Sequence, residues 1–159
     1  MKTIQLTQGM VAMVDDEDHE RLSKHKWCTM KNGRTHYAVR SGLVDGKRKL
    51  IFMHRELVCI PDGMFTDHID GDGLNNQKYN IRACTSEQNG RNSRTPKNNT
   101  SGYKGVSWRK KKKDWLARIM VSGKSVHLGC FEKKSDAVVA YNEASKKYHG
   151  EFARLNVLA

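Results

Sequence analysis

A chain of 159 residues with 37% hydrophobic content has room for one ordinary domain or two or three small modules, and argues against a single large core. Lysine and arginine exceed aspartate and glutamate by 29 to 17, a formal net charge of +12, which points toward a polyanionic partner. Cys28, Cys59, Cys84 and Cys130 are scattered with no C-x-x-C pair, so zinc-finger spacing is absent and no structural zinc is expected. The N-terminus has no continuous apolar segment, and no stretch approaches the ~18 apolar residues of a membrane span. A cytoplasmic protein with reduced thiols and no membrane partner is expected.

In chain order, short apolar and β-branched runs come first: "TIQL", "MVAMV", "KWCTM", "HYAVR" and "KLIFMH", separated by the turn signals "QG", "NG", "SG" and "DG". They predict a β-meander, with "DEDHERLSK" as a short helix behind an Asp cap. "HRELVCI" reads as a helix that stops at Pro61. Residues 64–94 then read as strand ("MFTDHI"), loop ("GDGLNNQKYN"), strand ("IRAC") and a helix opening at Thr85 and Gln88, which fit a capping box. The polar, Gly- and Pro-containing segment "SRTPKNNTSG" reads as a linker.

"YKGVSWR", "DWLARIMV" and "KSVHLGCF" follow as three strands joined by "KKKK" and "SG". Two-residue alternation puts Trp115, Ala117, Ile119 and Val121 on one face of the second strand. Ser135 is expected to cap a final helix in which Ala137, Ala140, Tyr141, Ala144 and Tyr148 recur at helical spacing, with Gly150 at its end. Tyr103, Phe131, Tyr141 and Tyr148 read as core. The expected fold class is α+β: residues 1–62 β-rich, 63–94 a strand-loop-strand-helix motif, 95–102 a linker, and 103–159 a three-stranded antiparallel sheet packed on one helix.

Charge divides unevenly along this plan. Residues 1–90 hold 13 basic and 12 acidic side chains, whereas 91–159 hold 16 and 5. A basic half beside a nearly neutral one suggests a polyanion-binding module joined to something with another task.

The acidic stretch "DHIDGDGLNN" sits in the neutral half. With Gly73 as the sixth residue of a calcium-binding loop, His68 and Tyr79 fall at the first and twelfth positions, where Asp and Glu are needed. A plain turn accounts for the glycines and asparagines, but not for Asp67 beside His68 with Asn89 and Asn92 on the following helix. Phosphodiester cleavage gives these residue types a reason. A neutral imidazole can deprotonate water near pH 7. A hard divalent cation on a carboxylate and an amide oxygen, with sites left open to phosphate, can neutralise developing charge. Adjacent residues of a regular strand point to opposite faces, so Asp67 and His68 can converge only beside a strand break.

"DHIDGDGLNNQKYNIRACTSEQNGRN" closely resembles the ββα-metal motif of HNH endonucleases, particularly the phage and intron-encoded homing type, in register over 26 residues. "MHRELVCIPDGM" resembles the segment leading into that motif. The resemblance implies Asp67 as metal-binding acid, His68 as general base, Asn80 as the central Asn bracing the loop, and Asn89 as the final metal ligand, with Asn92 in reserve. It implies one Mg²⁺ or Mn²⁺ per site. Asp70 and Asp72 read as loop-shaping, and His54 reads either as a capped or packed histidine at a strand-to-helix junction or as a group that touches phosphate or assists the metal.

Residues 101–156 resemble the ethylene-response-factor DNA-binding domain of plants through "YKGV", "W-x-A-x-I", "LG-x-F", "A-x-x-A-Y-x-x-A" and "G-x-x-A-x-LN". That family lays its sheet in the DNA major groove, which by matching position implies Lys104, Ser107, Trp108, Arg109, Trp115, Arg118, Ser125 and His127 as the DNA-facing set. Lys104, Ser107 and Ser125 stand where the plant family has arginine, and Arg118 where it has glutamate, so the target sequence is not inherited. Lys110–Lys113 fit phosphate contact or a solvated turn equally.

The resulting expectation is a metal-dependent endonuclease of the homing type, phage or mobile-element in origin, acting as a monomer on double-stranded DNA and nicking one strand. The alternative is a sequence-specific DNA-binding regulator with an inactive HNH motif. A third reading, an RNA-binding accessory protein, calls for exposed aromatics, whereas most aromatics here sit at core spacing.

Overall fold

The computed structural model describes residues 1–158. Its architecture is α+β, with small antiparallel sheets and short helices. The chain divides into two compact units, Met1–Asn89 and the part from Gly90 onward.

In the first unit, β1 (Lys2–Gln5) and β2 (Val11–Val14) form an antiparallel hairpin. Strands β3 (Cys28–Asn32), β4 (Thr35–Val44) and β5 (Lys47–Phe52) form the meander the turn signals predict. Between them lies helix α1 (Asp16–Ser23). Ile4, Leu6, Ala12, Val14, Leu22, Trp27, Ala38 and Met53 are buried together as its core, and Trp27 Nε1 donates to Leu22 O at 2.8 Å. Helix α2 (Met53–Leu57) is one short turn, ending before the expected Pro61. Strand β6 (Phe65–His68) pairs antiparallel with β7 (Ile81–Cys84), and α3 (Ser86–Asn92) follows, its last turn from Gly90 already belonging to the second unit. The capping box at its start is reciprocal: Thr85 N donates to Gln88 Oε1 at 2.8 Å, and Gln88 N to Thr85 Oγ1 at 3.2 Å.

Asp15 stands at the N-cap position of α1 but makes no capping hydrogen bond. Its carboxylate instead accepts from Gln77 Nε2 at 3.2 Å and from Lys78 N at 2.8 Å. The expected cap is thus a tether for the loop between β6 and β7. Strand β2 ties the same loop down, with Met13 N donating to Leu74 O at 2.9 Å and Asn76 N to Met13 O at 2.8 Å.

In the second unit, β8 (Val106–Arg109), β9 (Asp114–Val121) and β10 (Lys124–Phe131) form a meander with β9 central, backed by α4 (Lys134–His149). Val106, Ala117, Ile119, Ala137, Val138, Tyr141 and Ala144 make the core, with Tyr103, Trp115 and Phe131 packed against it. Tyr148 departs from expectation: it is exposed, and His149 is buried beside it with Nε2 2.8 Å from Met120 O. Lys133, not Ser135, holds the N-cap position, and the Ser135 hydroxyl turns to the Asp136 carboxylate. Gly105 has φ +74°, and a Cβ there would lie 2.1 Å from the Tyr141 ring. The glycine of "YKGV" is therefore fixed by the sheet's close approach to the helix. The asparagine of "LN" has an equally local reason: Asn156 Oδ1 accepts from Lys104 N at 2.7 Å and Asn156 Nδ2 donates to Lys104 O at 3.0 Å.

Candidate functional site

The loop from Ile69 to Asn80 is built by its own polar side chains. Asp70 Oδ1 accepts from Asp72 N at 2.7 Å, and Asp72 Oδ1 accepts from Leu74 N at 3.0 Å. Both aspartates therefore shape the turn. Asn80 is buried, and its side chain spans the loop. Oδ1 accepts from Asp70 N at 3.0 Å, while Nδ2 donates to Asp70 Oδ1 at 3.0 Å and to Asn75 O at 2.9 Å. Its own carbonyl accepts from Ile69 N at 2.9 Å, one residue past His68. Burial pushes the Asp70 carboxyl upward, but the hydrogen bonds from Asp72, Asn75 and Asn80 outweigh it and the net shift is downward.

Asp67 and His68 end β6, both buried, and the chain breaks into a turn directly after them, with Gly71 N donating to His68 O at 2.9 Å. Antiparallel register sets Asp67 opposite Arg82 and His68 opposite Ile81. Arg82 grips the Asp67 carboxylate at Oδ2, through Nε at 2.9 Å and Nη2 at 2.8 Å. The His68 ring lies against His54, with centroids 5.2 Å apart at 78°, and against Tyr37 at 5.8 Å. Burial lowers the pKa of His68, opposed by a hydrogen bond with Asn76 and by the Asp70, Asp67 and Asp72 carboxylates. The net shift is downward, which favours the neutral imidazole near pH 7.

His54 is packed, as its junction position suggests. Burial, and then the charges of His68 and Arg55, hold its pKa down at about 3. The unfolded chain protonates this group near its ordinary value of 6.5, so stability is full above that pH and declines as pH falls toward the folded value. Urea unfolding across this range is expected to show a shallower decline for His54→Phe than for the wild type. Parallel declines would contradict that coupling.

Asn89 lies on α3 with its residue exposed, whereas Asn92, one turn on, is buried and accepts Arg154 Nη1 at its main-chain oxygen at 3.3 Å. The candidate metal donors are thus a buried carboxylate and an exposed amide. Hard oxygen ligands of this kind fit Mg²⁺ or Mn²⁺, which keep positions for water and phosphate. A cation there must share the carboxylate with Arg82 or displace it. Among the described residues no three His, Cys, Asp or Glu side chains gather at metal-binding spacing.

In the second unit, cross-strand register sorts the expected DNA-facing residues. Ser107, Leu116 and Cys130 align across the sheet, as do Arg118 with His127 and Met120 with Ser125. By alternation, Ser107, Arg109, Arg118, Ser125 and His127 share the face away from α4. Arg109 forms a two-pronged pair with the Asp114 carboxylate, one bond being Nε to Oδ1 at 2.7 Å.

Trp115, and with it its cross-strand partner Trp108, departs from the DNA-facing expectation. Trp115 aligns with Phe131 and Trp108 on the helix side and packs on the core, its ring 5.0 Å from that of Trp108. Strand alternation cannot give one residue both faces, so Trp115 lies with Ala117 and Ile119 and opposite Arg118. Lys104 also departs. Its Nζ donates to Gly90 O at 3.2 Å, Arg91 O at 2.5 Å and Ser93 O at 2.9 Å, and burial and then Arg154 bring its pKa down to about 8. It closes the end of a helix rather than projecting outward.

A family model described as HNH endonuclease matches residues 59–91, which include Asp67, His68, Asn80 and Asn89. An uncharacterized HNH endonuclease of Acanthamoeba polyphaga mimivirus is 30% identical over 152 residues, covering 94% of this chain and 76% of that protein. The chain belongs to the HNH endonuclease family. Protein 3.8 of Escherichia phage T7 is 38% identical over 95 residues, 60% of this HNH chain and 78% of the phage protein. A protein of Arabidopsis thaliana named as a dehydration-responsive element-binding protein is 41% identical over 64 residues, 39% of the HNH chain and 40% of the plant protein. No solved structure is a significant match. No helix of the described residues is long and apolar enough to cross a membrane.

Sequence reasoning missed Tyr37 and Arg82. Arg82 was within reach of it, because a strand-loop-strand hairpin that pairs His68 with Ile81 necessarily pairs Asp67 with Arg82. Tyr37 lies thirty residues upstream, in a separate sheet, and no local signal marks it.

Proposed function

We propose that the chain is a metal-dependent DNA endonuclease of the homing type that nicks one strand of a duplex at a recognised site. The observation that carries this reading is the end of β6, where a buried carboxylate and a buried imidazole of lowered pKa stand together before a loop braced by Asn80. His68 takes a proton from the attacking water, which its neutral ring is able to accept. Asp67 and Asn89 would hold one Mg²⁺ or Mn²⁺, which when bound would supply Lewis-acid neutralisation of the phosphate and the leaving oxygen. Asn80 acts through the loop, keeping the turn after His68 in one conformation. A single such site meets one strand at a time, so a monomer nicks.

The basic unit docks the duplex. Ser107, Arg109, Arg118, Ser125 and His127 face the major groove, where arginine and histidine donors reach base edges. Trp108 and Trp115 support that sheet from behind, and Lys104 secures the segment leading into it. The partial likeness to the plant protein, named as a dehydration-responsive element-binding protein, supports DNA as the partner. The phage and mimivirus relatives support a viral origin and action in the cytoplasm of a host cell.

Lys110–Lys113 occupy an exposed turn between β8 and β9. Replacing all four with glutamine is expected to flatten the salt dependence of duplex binding by about one unit of logarithmic slope per lost phosphate contact. Titrations at several salt concentrations measure this, and an unchanged slope would leave those lysines facing solvent. The nicking assignment itself is tested on a target duplex labelled differently on each strand. One labelled strand is expected to be cut well before the other, and simultaneous loss of both would contradict it.

One observation favours a second reading, a DNA-binding regulator with an inactive HNH motif. Arg82 already occupies the Asp67 carboxylate with two contacts, so an arginine that never yields to the cation would leave binding without cleavage.

A further inference from the structure

The N-terminal sheet has no part in the proposed chemistry, yet it delivers a side chain to the site. Tyr37 rises from β4, His54 from the start of α2, and their rings contact each other at 5.7 Å and 72°. Both contact His68, His54 edge-on at 5.2 Å and Tyr37 tilted at 5.8 Å. Phe52 backs the pair, 5.2 Å from His54 and 5.9 Å from Tyr37. The loop is shaped to admit this wall. A Cβ on Gly73 would lie 2.6 Å from Tyr37 Cε1 and 2.5 Å from His36 O, and Gly73 N donates to Thr35 Oγ1 at 2.9 Å. Bare backbone at position 73 therefore lets β4 close on the loop and bring Tyr37 against the histidine.

We propose that Tyr37 and His54 are positioning residues that hold the His68 imidazole in one rotamer, making the N-terminal sheet part of the catalytic apparatus. The inference rests on the reading of His68 as the base. An imidazole with rings packed on two sides cannot turn about χ2 without displacing them, so its nitrogens keep fixed directions through the reaction.

The direct test is the order parameter of the His68 ring, from ¹³C relaxation of the full-length protein, together with single-turnover cleavage of a target duplex in Mg²⁺. In the wild type the ring is expected to be as ordered as rigid backbone, about 0.85. Tyr37→Leu is expected to loosen it and to lower the cleavage rate constant by roughly 10- to 100-fold with duplex affinity unchanged. Tyr37→Phe, which keeps the ring, is expected to restore most of that loss. His54→Leu serves as a second variant with the same expected signature. A mobile His68 ring in the wild type would overturn the proposal before any variant is made, and so would an ordered ring and full rate in Tyr37→Leu. Cleavage that survives His68→Ala would instead remove the base assignment beneath it, while the ring-order result would still stand on its own.

Discussion

His68→Ala is expected to leave duplex binding intact and to lower cleavage by roughly 10²–10⁴-fold, the usual contribution of a positioned general base. Alanine removes the one imidazole that combines strand-end placement beside Asp67 with a lowered pKa. His54 cannot substitute for it. That ring is buried, and its pKa near 3 makes it a weak proton acceptor at neutral pH. Binding is expected to survive because the basic surface belongs to the unit that begins at Gly90. Gel-shift titration and single-turnover cleavage on the same duplex separate the two effects. Cleavage at the wild-type rate would remove His68 from the chemistry.

Asn80→Ala is expected to act on stability. The amide of Asn80 makes three hydrogen bonds inside the loop, and its loss strands two backbone groups, Asp70 N and Asn75 O, along with one contact to the Asp70 carboxylate. Asn75 O is buried and Asp70 N, on an exposed residue, can turn to water, so at about 1–3 kcal/mol per buried group left unsatisfied the variant is expected to lose roughly 1–3 kcal/mol. That is a large share of the ~5–15 kcal/mol by which such domains are stable. Equilibrium urea unfolding measures it. Asn80→Asp keeps the acceptor for Asp70 N but sets a second carboxylate against Asp70, so it is expected to recover little. An unfolding midpoint unchanged in Asn80→Ala would show that the loop holds without its brace.

The parts of the fold that were legible in the sequence are those whose partners lie close along the chain. Thr85 and Gln88 are three residues apart, and their reciprocal bonds follow from spacing alone. Alternation in "DWLARIMV" similarly fixes which side of β9 meets the helix. The bracing role of Asn80 came from the resemblance to the HNH motif, and its partners, Asp70 and Asn75, lie within ten residues. Asp15 could not be read so well. Local pattern makes it a helix cap, but an acceptor that far upstream is decided by where β2 meets the loop, and Gln77 and Lys78 take it. The Tyr37 and His54 wall was illegible for the same reason, since it exists only once β4 closes on Gly73.

On the basic unit, residue types matched position by position missed the geometry at three places, Trp108, Trp115 and Lys104. A tryptophan cannot both fill the core stripe and face outward, and Trp115 fills the stripe. A lysine whose ammonium meets three main-chain oxygens is no longer a surface cation, and Lys104 meets them. Ser107, Arg118, Ser125 and His127 hold to one face because sheet register alone decides it.

The central claim, that Asp67 at the end of β6 holds, with Asn89, the cation with which this chain cuts DNA, is tested most directly on supercoiled plasmid carrying the target sequence. The wild type and Asp67→Ala are incubated with it in Mg²⁺ or Mn²⁺, with EDTA as control. Conversion to open circle by the wild type alone, lost both in EDTA and in Asp67→Ala, is the predicted result. Conversion that persists without the metal or without Asp67 would contradict the account, and no conversion with plasmid binding intact would leave a DNA-binding protein whose Arg82 never releases the carboxylate.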